Sequence, residues 1–283
     1  MRMELSEVTL EVQDNEVQDN GTGRDPVLLL HGFPDTHAVW RHQVRALDAA
    51  GYRTIAPDLR GFGASDRPEE TAAYAPHRIV ADLVELLDRL DIGRVHLVGH
   101  DWGSGIAQSL ALTDRARVAS LSLLSVGHLG GLLGAGWEQR QRSWYMLLFQ
   151  LTGLAEEWLS RDDFANLRDM LAEHPDADEV VERLREPGAL TSALSLYRAG
   201  LRPEVLFGPE QPLPSLPGPV LGVWSTGDRF LTEGSMAGTG KYVDGCWRYE
   251  RIEGAGHWLQ LDAPERVNTL LLDFFAEQRR GGR

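Results

Sequence analysis

From about residue 26 the chain alternates between two hydrophobic patterns. Short runs are apolar almost throughout: PVLLL at 26–30, RTIAP at 53–57, RVHLVG at 94–99, VASLSLLSV at 118–126 and VLGVW at 220–224. Strands buried on both faces read this way, because neither face meets water. Between them, apolar residues recur every three or four positions. Ile79, Leu83, Leu86, Leu87 and Leu90 mark one helix, and Val267, Leu270, Leu271, Phe274 and Phe275 mark another that Pro264 opens. This alternation predicts a mostly parallel sheet flanked by helices. It stops across residues 128–217, where only helical spacing is expected: at 144–149, over Phe164, Leu167, Met170 and Leu171, at 180–184 and at 194–201. A proline-rich link (Pro209, Pro212, Pro214, Pro217, Pro219) precedes the return of the strand pattern. The organisation expected is one α/β core, residues 1–127 and 218–283, interrupted by a helical cap at 128–217. Such an insertion is expected over the C-terminal strand ends, where sheets of this kind bind ligands. Near the start, EVQDN occurs twice, at 11–15 and 16–20. The pair predicts a polar hairpin turning near Asp14 and Asn15, and two five-residue copies are too few for a repeat architecture.

Composition narrows the function. The 283 residues hold 28 Lys plus Arg against 42 Asp plus Glu, a net charge of −14. That balance repels nucleic acid and anionic membrane surfaces, so neither is expected as a partner. Cys246 is the only cysteine, which excludes an internal disulfide and cysteine-rich metal sites. The opening MRMELSEVTLEV has no apolar h-region, so no signal peptide is expected. No apolar run approaches the roughly 20 residues of a membrane span. A cytoplasmic location follows as the expectation. His31, His37 and His42 are scattered over a loop and a helix and read as structural rather than as metal ligands.

The sharpest chemical signal is VGHDWG at 98–103, between a strand and a helix beginning near Ser104. Glycines two positions either side of Asp101 permit a strand–sharp turn–helix that lifts the Asp101 side chain above the sheet edge, the pattern of a nucleophile elbow. Asp101 as a simple helix N-cap is the alternative. Three further motifs sit where strands end. HGFPD at 31–35 can aim the Phe33 N–H at the site opposite that of Trp102, giving a two-donor oxyanion hole. GDRF places Asp228 where a carboxylate can orient an imidazole, and GAGHW places His257 in a glycine-flanked loop before the last helix. The order nucleophile, acid, base is that of triads on such sheets.

HGFPD, DLRGFGASDRP at 58–68, VGHDWG and GAGHWLQLDAPERVN at 254–268 together resemble the epoxide hydrolases of the α/β-hydrolase superfamily. The likeness spans nearly the whole chain, from about Pro26 to Phe275. It implies an α/β-hydrolase fold with an inserted helical cap, an epoxide as small-molecule substrate with water, and no cofactor or metal. VGHDWG is shared with haloalkane dehalogenases, which keeps that activity open as an alternative. A non-catalytic ligand-binding protein on the same fold is a third reading. Phe33 in HGFP fits epoxide hydrolases better than the HGNP that many dehalogenases resemble. The likeness also implies two cap tyrosines that donate to the epoxide oxygen: Tyr145, within SWYMLLFQLTGLAE, and Tyr197, within ALSLYRAGL. It further implies a substrate pocket lined by His31, Pro34, Trp102, Trp144, Phe149 and Trp258.

Two departures stand out. Leu196 precedes the second tyrosine where the family often has Trp, and SVGHLGG at 125–131 replaces an N-x-P-H-P pattern. His128 is kept while glycines take the place of prolines, which predicts a more flexible cap entrance or a reshaped pocket. The chemistry expected is attack by Asp101 on an epoxide carbon to give an ester, hydrolysed by water that His257 activates with Asp228 behind it. His257 is expected to titrate near 6.5 unless Asp228 raises it.

Overall fold

The computed structural model describes residues 1–15, 24–208 and 212–281. Its strands are β1 (Arg2–Glu4), β2 (Thr9–Asn15), β3 (Val27–Leu30), β4 (Thr54–Pro57), β5 (Val95–His100), β6 (Val118–Leu124), β7 (Leu216–Pro217), β8 (Val220–Ser225), β9 (Val243–Asp244) and β10 (Trp247–Ile252). Eight of them form one sheet in the order β1-β2-β4-β3-β5-β6-β8-β10. Every pairing from β4 to β10 is parallel, and β2 pairs antiparallel with both β1 and β4. The pairings Leu30↔Gly99, Gly99↔Leu123, Leu124↔Val223 and Ser225↔Ile252 bring the C-terminal ends of five neighbouring strands to one edge. All positions of β3, β4, β5 and β8 are buried, which is why those segments read as continuous apolar runs.

Helices α1 (Arg41–Ala49), α2 (Pro76–Arg89) and α3 (Trp102–Thr113) follow β3, β4 and β5, and α13 (Pro264–Gly281) closes the chain. The spacing-derived faces are the buried ones: Ile79, Leu83, Leu86 and Leu87 on α2, and Val267, Leu270, Leu271, Phe274 and Phe275 on α13. Each such side chain contributes about 1.5–3 kcal/mol on leaving water. α1 packs against α13, and α2 against α3. Among the described residues, no helix is long and apolar enough to cross a membrane.

Between β6 and β8 lie α4 (Leu129–Gly134), α5 (Gly136–Arg142), α6 (Trp144–Phe149), α7 (Leu154–Met170), α8 (Ala177–Arg185), α9 (Ala189–Gly200) and α10 (Pro203–Phe207). The backbone of α7 leaves helical geometry at residues 161–164, which splits it in two. The stretch is not wholly free of strand, because β7 pairs with β9. α11 (Glu233–Ala237) and α12 (Leu259–Asp262) complete the set.

The first EVQDN copy does not turn. Residues 11–15 belong to β2, with Asp14 paired to Ile55 and Asn15 to Thr54. Leu10 and Val12 point inward with no exposure at all, and Asp14, on the same face, is buried in its ion pair with Arg53, so the strand is held by that face. The hairpin turn lies earlier, where the Leu5 N–H donates to the Val8 carbonyl. The second copy lies outside the described residues.

The β5–α3 junction is fixed by close backbone packing. A Cβ on Gly103 would fall 1.9 Å from the Leu30 carbonyl oxygen, and one on Gly99 would fall 2.3 Å from the Gly103 oxygen. Nothing lies within 4 Å of a Cβ on Gly105, two residues further along the same helix. Gly103→Ala is therefore expected to cost about 1–3 kcal/mol, and Gly105→Ala to be neutral or stabilising by up to about 1 kcal/mol. Urea midpoints at unchanged slope measure both. Equal stability of the two variants would mean that the junction is not packed as described.

Candidate active site

Four loops at the C-terminal strand edge supply the polar residues. Asp101 follows β5 with φ +52° and ψ −122°, a strained backbone for a non-glycine residue that a sharp turn between strand and helix demands. Its side chain makes no N-cap hydrogen bond to α3. Instead Oδ1 accepts from the Phe33 N–H at 2.8 Å, in the loop after β3. Trp102 is the first residue of α3, where a backbone N–H has no partner within the helix.

His257, after β10, points its Nδ1 at Asp228 Oδ2, 2.9 Å away, and its Nε2 at Asp101 Oδ2, 3.7 Å away and beyond hydrogen-bond reach. Asp228 follows β8, and its Oδ1 accepts from the Phe230 and Leu231 N–H groups at 2.8 and 3.0 Å. Both Asp228 oxygens are thus engaged, which fixes the imidazole plane. The loop carrying His257 is pinned as well: its carbonyl accepts from the Ser125 hydroxyl and the His100 ring, and the Gly256 carbonyl accepts from Ser225.

Asp101, Asp228 and His257 are all buried. Burial alone would push the imidazole pKa down. The Asp228 charge, with that of Asp101, outweighs it and raises His257 to about 10. This is the case in which Asp228 raises the value above the reference near 6.5, and the resting site holds an imidazolium between two carboxylates. His100, wholly buried beside it, goes the other way, down to about 4, because burial dominates there and the His257 charge adds to it.

Tyr145 on α6 and Tyr197 on α9 come from the helices above this edge, 5% and 2% exposed. Their rings meet edge to face, with centroids 6.1 Å apart. Tyr197 also packs on Trp102 and Phe33, at 5.0 and 5.3 Å. Burial first, with the Asp101 charge nearby, raises both hydroxyl pKa values, so both stay protonated as donors. Arg198, next to Tyr197, donates to the Phe149 carbonyl and forks onto Glu156, tying α9 to α6 and α7.

Two cavities share Asp101, Tyr145 and Tyr197 as walls. One of about 280 Å³ runs along α3, and one of about 20 Å³ lies beside His257. Trp102 lines the first, and Phe33, Pro34 and Trp258 line the second. The other three expected pocket residues lie elsewhere. Trp144 is half exposed on the outer side of α6, edge to face with Trp158. Phe149 backs Tyr145 and Tyr197 from behind. His31 is fully buried, with Nε2 accepting from the Leu59 N–H and Nδ1 donating to the Gly32 carbonyl, so both nitrogens serve the loops.

The motifs did not single out Phe230, whose ring lies 5.1 Å from that of His257, or the contact between Asp35 and His174. His174 Nδ1 accepts the Asp176 N–H, so Nε2 donates to Asp35 Oδ1, while Trp258 Nε1 donates to Asp35 Oδ2. With Arg41 on Asp176, this fastens the α7–α8 turn to the sheet edge. HGFPD and GAGHW contain two of these partners, but nothing in the sequence marks His174 as the third. In SVGHLGG two glycines make close contacts. A Cβ on Gly131 would strike the Ser235 carbonyl at 2.3 Å and one on Gly130 the Tyr242 ring at 2.3 Å, so the glycines seat α4 against residues 235–242. Among the described residues, no group of His, Cys, Asp or Glu is arranged to hold a metal ion.

Comparison with known proteins agrees with this layout. Residues 25–264 match the family model of the alpha/beta hydrolase fold. Epoxide hydrolase A of Mycobacterium tuberculosis is 33% identical, over 91% of this chain and 92% of that protein. Epoxide hydrolase 3 of Xenopus tropicalis is 34% identical, over 91% of this chain and 73% of its own length. The crystal structure of a Bacillus megaterium epoxide hydrolase with an inhibitor superposes with a TM-score of 0.85 at 25% identity, covering 98% of this chain and all (100%) of the other. The chain belongs to the α/β-hydrolase fold family and, within it, to the epoxide hydrolases, which are hydrolases acting on ether bonds.

Proposed function

We propose that this protein opens an epoxide to a vicinal diol through an ester on Asp101. The observation that carries this reading is the pair of buried, protonated tyrosines facing the same cavity as an aspartate held at a strained elbow. A carboxylate there suits attack on an sp³ carbon, and a ring oxygen leaving as alkoxide needs a donor. Residues 128–217 act in this reading as a cap that brings the tyrosines to the core formed by 1–127 and 218–283. No cofactor enters the scheme.

Asp101 Oδ1 is already held by the Phe33 N–H, which leaves Oδ2 to attack. The C–O bond of the epoxide breaks as the Asp101–carbon bond forms, and Tyr145 and Tyr197 donate to the departing oxygen. The alkoxide is the strongest base in the site, so the imidazolium proton ends on it and His257 becomes neutral. Esterification also removes the Asp101 charge that helped hold that proton. Water then loses a proton to His257 and attacks the ester carbonyl, whose oxyanion is held by the N–H groups of Phe33 and Trp102. Each such donor is worth roughly 2.7–4 kcal/mol in comparable sites. Breakdown releases the diol and restores the Asp101 carboxylate.

The direct test is intact-protein mass spectrometry of His257→Ala. The variant is expected to lose at least about 10²-fold in turnover and to accumulate an adduct on Asp101. An epoxide adds its whole mass, because its oxygen stays attached, whereas a haloalkane adds only its alkyl group. Adding Tyr145→Phe or Tyr197→Phe is expected to slow adduct formation by about 10²-fold or more. Adducts from haloalkanes but not from epoxides would replace this reading with the dehalogenase one.

The charge coupling predicts a pH dependence. Ring opening ends with a proton on the alkoxide, which the imidazolium supplies in the wild type and water supplies more slowly without it, so it is expected to hold through neutral pH and slow as pH rises through about 10. Hydrolysis uses the neutral imidazole of the ester state, whose pKa lies lower, so it is expected to persist above that point. In the resting protein, Asp101→Asn is expected to lower the His257 pKa, as read from its ring proton resonances. An unchanged pKa would mean that Asp101 does not hold the proton.

A further inference from the structure

The two cavities that meet at Asp101 differ about tenfold or more in size, and that asymmetry bears on which epoxides fit. The wide arm, about 280 Å³, follows α3 outward from Asp101 to the exposed Leu112. At 1.5 Å per helical residue that path is about 16 Å. Its walls include Ile106, Leu112, Val126, Leu132, Met146 and Leu213, and among the described residues Asp101 is the only charged one lining it. The polar side chains there already have partners in the wall. Gln108 donates to the Gly127 carbonyl and Ser109 to that of Gly105, while His128 accepts from the Gly130 N–H and donates to the Pro214 carbonyl. Among the described residues, no Lys or Arg lines this arm to pair with a negatively charged substituent. Much of the far wall comes from Gly127, His128, Leu129 and Leu132, in and just after the segment that departs from the family pattern, held back by the glycine seat of α4.

The narrow arm is closed by Leu167, Met170, Leu171, Phe230 and Trp258. Its roughly 20 Å³ accommodates about one water molecule, which needs at least about 10–15 Å³ and a few polar partners. The polar groups bordering it are His257, Asp101 and the two tyrosines.

We propose that the substrates are lipophilic terminal epoxides: one uncharged apolar substituent lies in the wide arm along α3, and the narrow arm holds the hydrolytic water and admits no second substituent. This rests on the epoxide-opening reading above and adds the substrate class to it.

The experiment compares kcat/KM across 1,2-epoxyalkanes of rising length, trans-4,5-epoxyalkanes of matched length, which carry a propyl group on the second ring carbon, and 1,2-epoxides ending in a carboxylate. With wild type, kcat/KM is expected to rise up to about fourfold per methylene until the chain reaches Leu112, and to fall at least about 100-fold for the disubstituted and carboxylated sets. Leu132→Trp, a partly exposed position, is expected to flatten the rise of kcat/KM with chain length. Met170→Ala is expected to raise kcat/KM on the disubstituted set relative to terminal epoxides at least about tenfold. Disubstituted or carboxylated epoxides handled as well as terminal ones, or no dependence on chain length, would overturn the substrate class and leave the epoxide-opening reading intact. Failure to hydrolyse any epoxide, with no adduct in His257→Ala, would overturn that reading and this one together.

Discussion

One imidazolium lies between two carboxylates in a site that water scarcely reaches. Two negative charges that close in a buried space need a cation between them, and His257 is that cation. The rest of the architecture holds this arrangement in place. Asp228 is fixed by two backbone N–H groups of its own turn, and the His257 loop by donors from the ends of three neighbouring strands. Asp101 is held by a turn that tolerates no side chain at Gly103 and by a donor from the loop after β3. In this account, the charge that Asp101 loses on forming an ester is what turns His257 from proton donor into base. A single residue thereby serves successive steps of opposite sign.

The sheet makes such a convergence possible. β3, β5, β8 and β10 end at one edge, so residues far apart in sequence, Phe33, Asp101, Asp228 and His257, meet without any of them lying on a long loop. The tyrosines arrive from the opposite side, on helices tied to each other and to α7 through Arg198, while Asp35, His174 and Arg41 fasten the α7–α8 turn to the sheet edge. Shape and charge then divide the work. The apolar wide arm faces the tyrosines and α3, and the small arm faces the base.

Much of this was legible in the chain. Buried parallel strands and amphipathic helices have distinct periods, so the sheet and its helices could be read directly. Short motifs at strand ends named Asp101, Asp228, His257 and Phe33, and the structure brings those side chains to one place with Tyr145 and Tyr197. Other features needed three dimensions. The strand at 11–15 hid behind polar residues because one of its inward positions is Asp14, buried in an ion pair with Arg53. Trp144 sits in the same short helix as Tyr145, but its helical position turns it outward. The contacts made by the glycines of SVGHLGG could not be read from the motif, because their neighbours at 235–242 are about 100 residues away in sequence. The His257 charge state depends on distances between three loops, which no motif encodes.

The measurement that bears most directly on the covalent account is a single turnover of excess wild-type protein with a terminal epoxide in ¹⁸O-labelled water. The account predicts that the label enters the Asp101 carboxylate while the first diol takes its new oxygen, unlabelled, from Asp101. Label in the first diol, with none in Asp101, would show that water attacks the epoxide itself, and Asp101 would then be a base rather than a nucleophile.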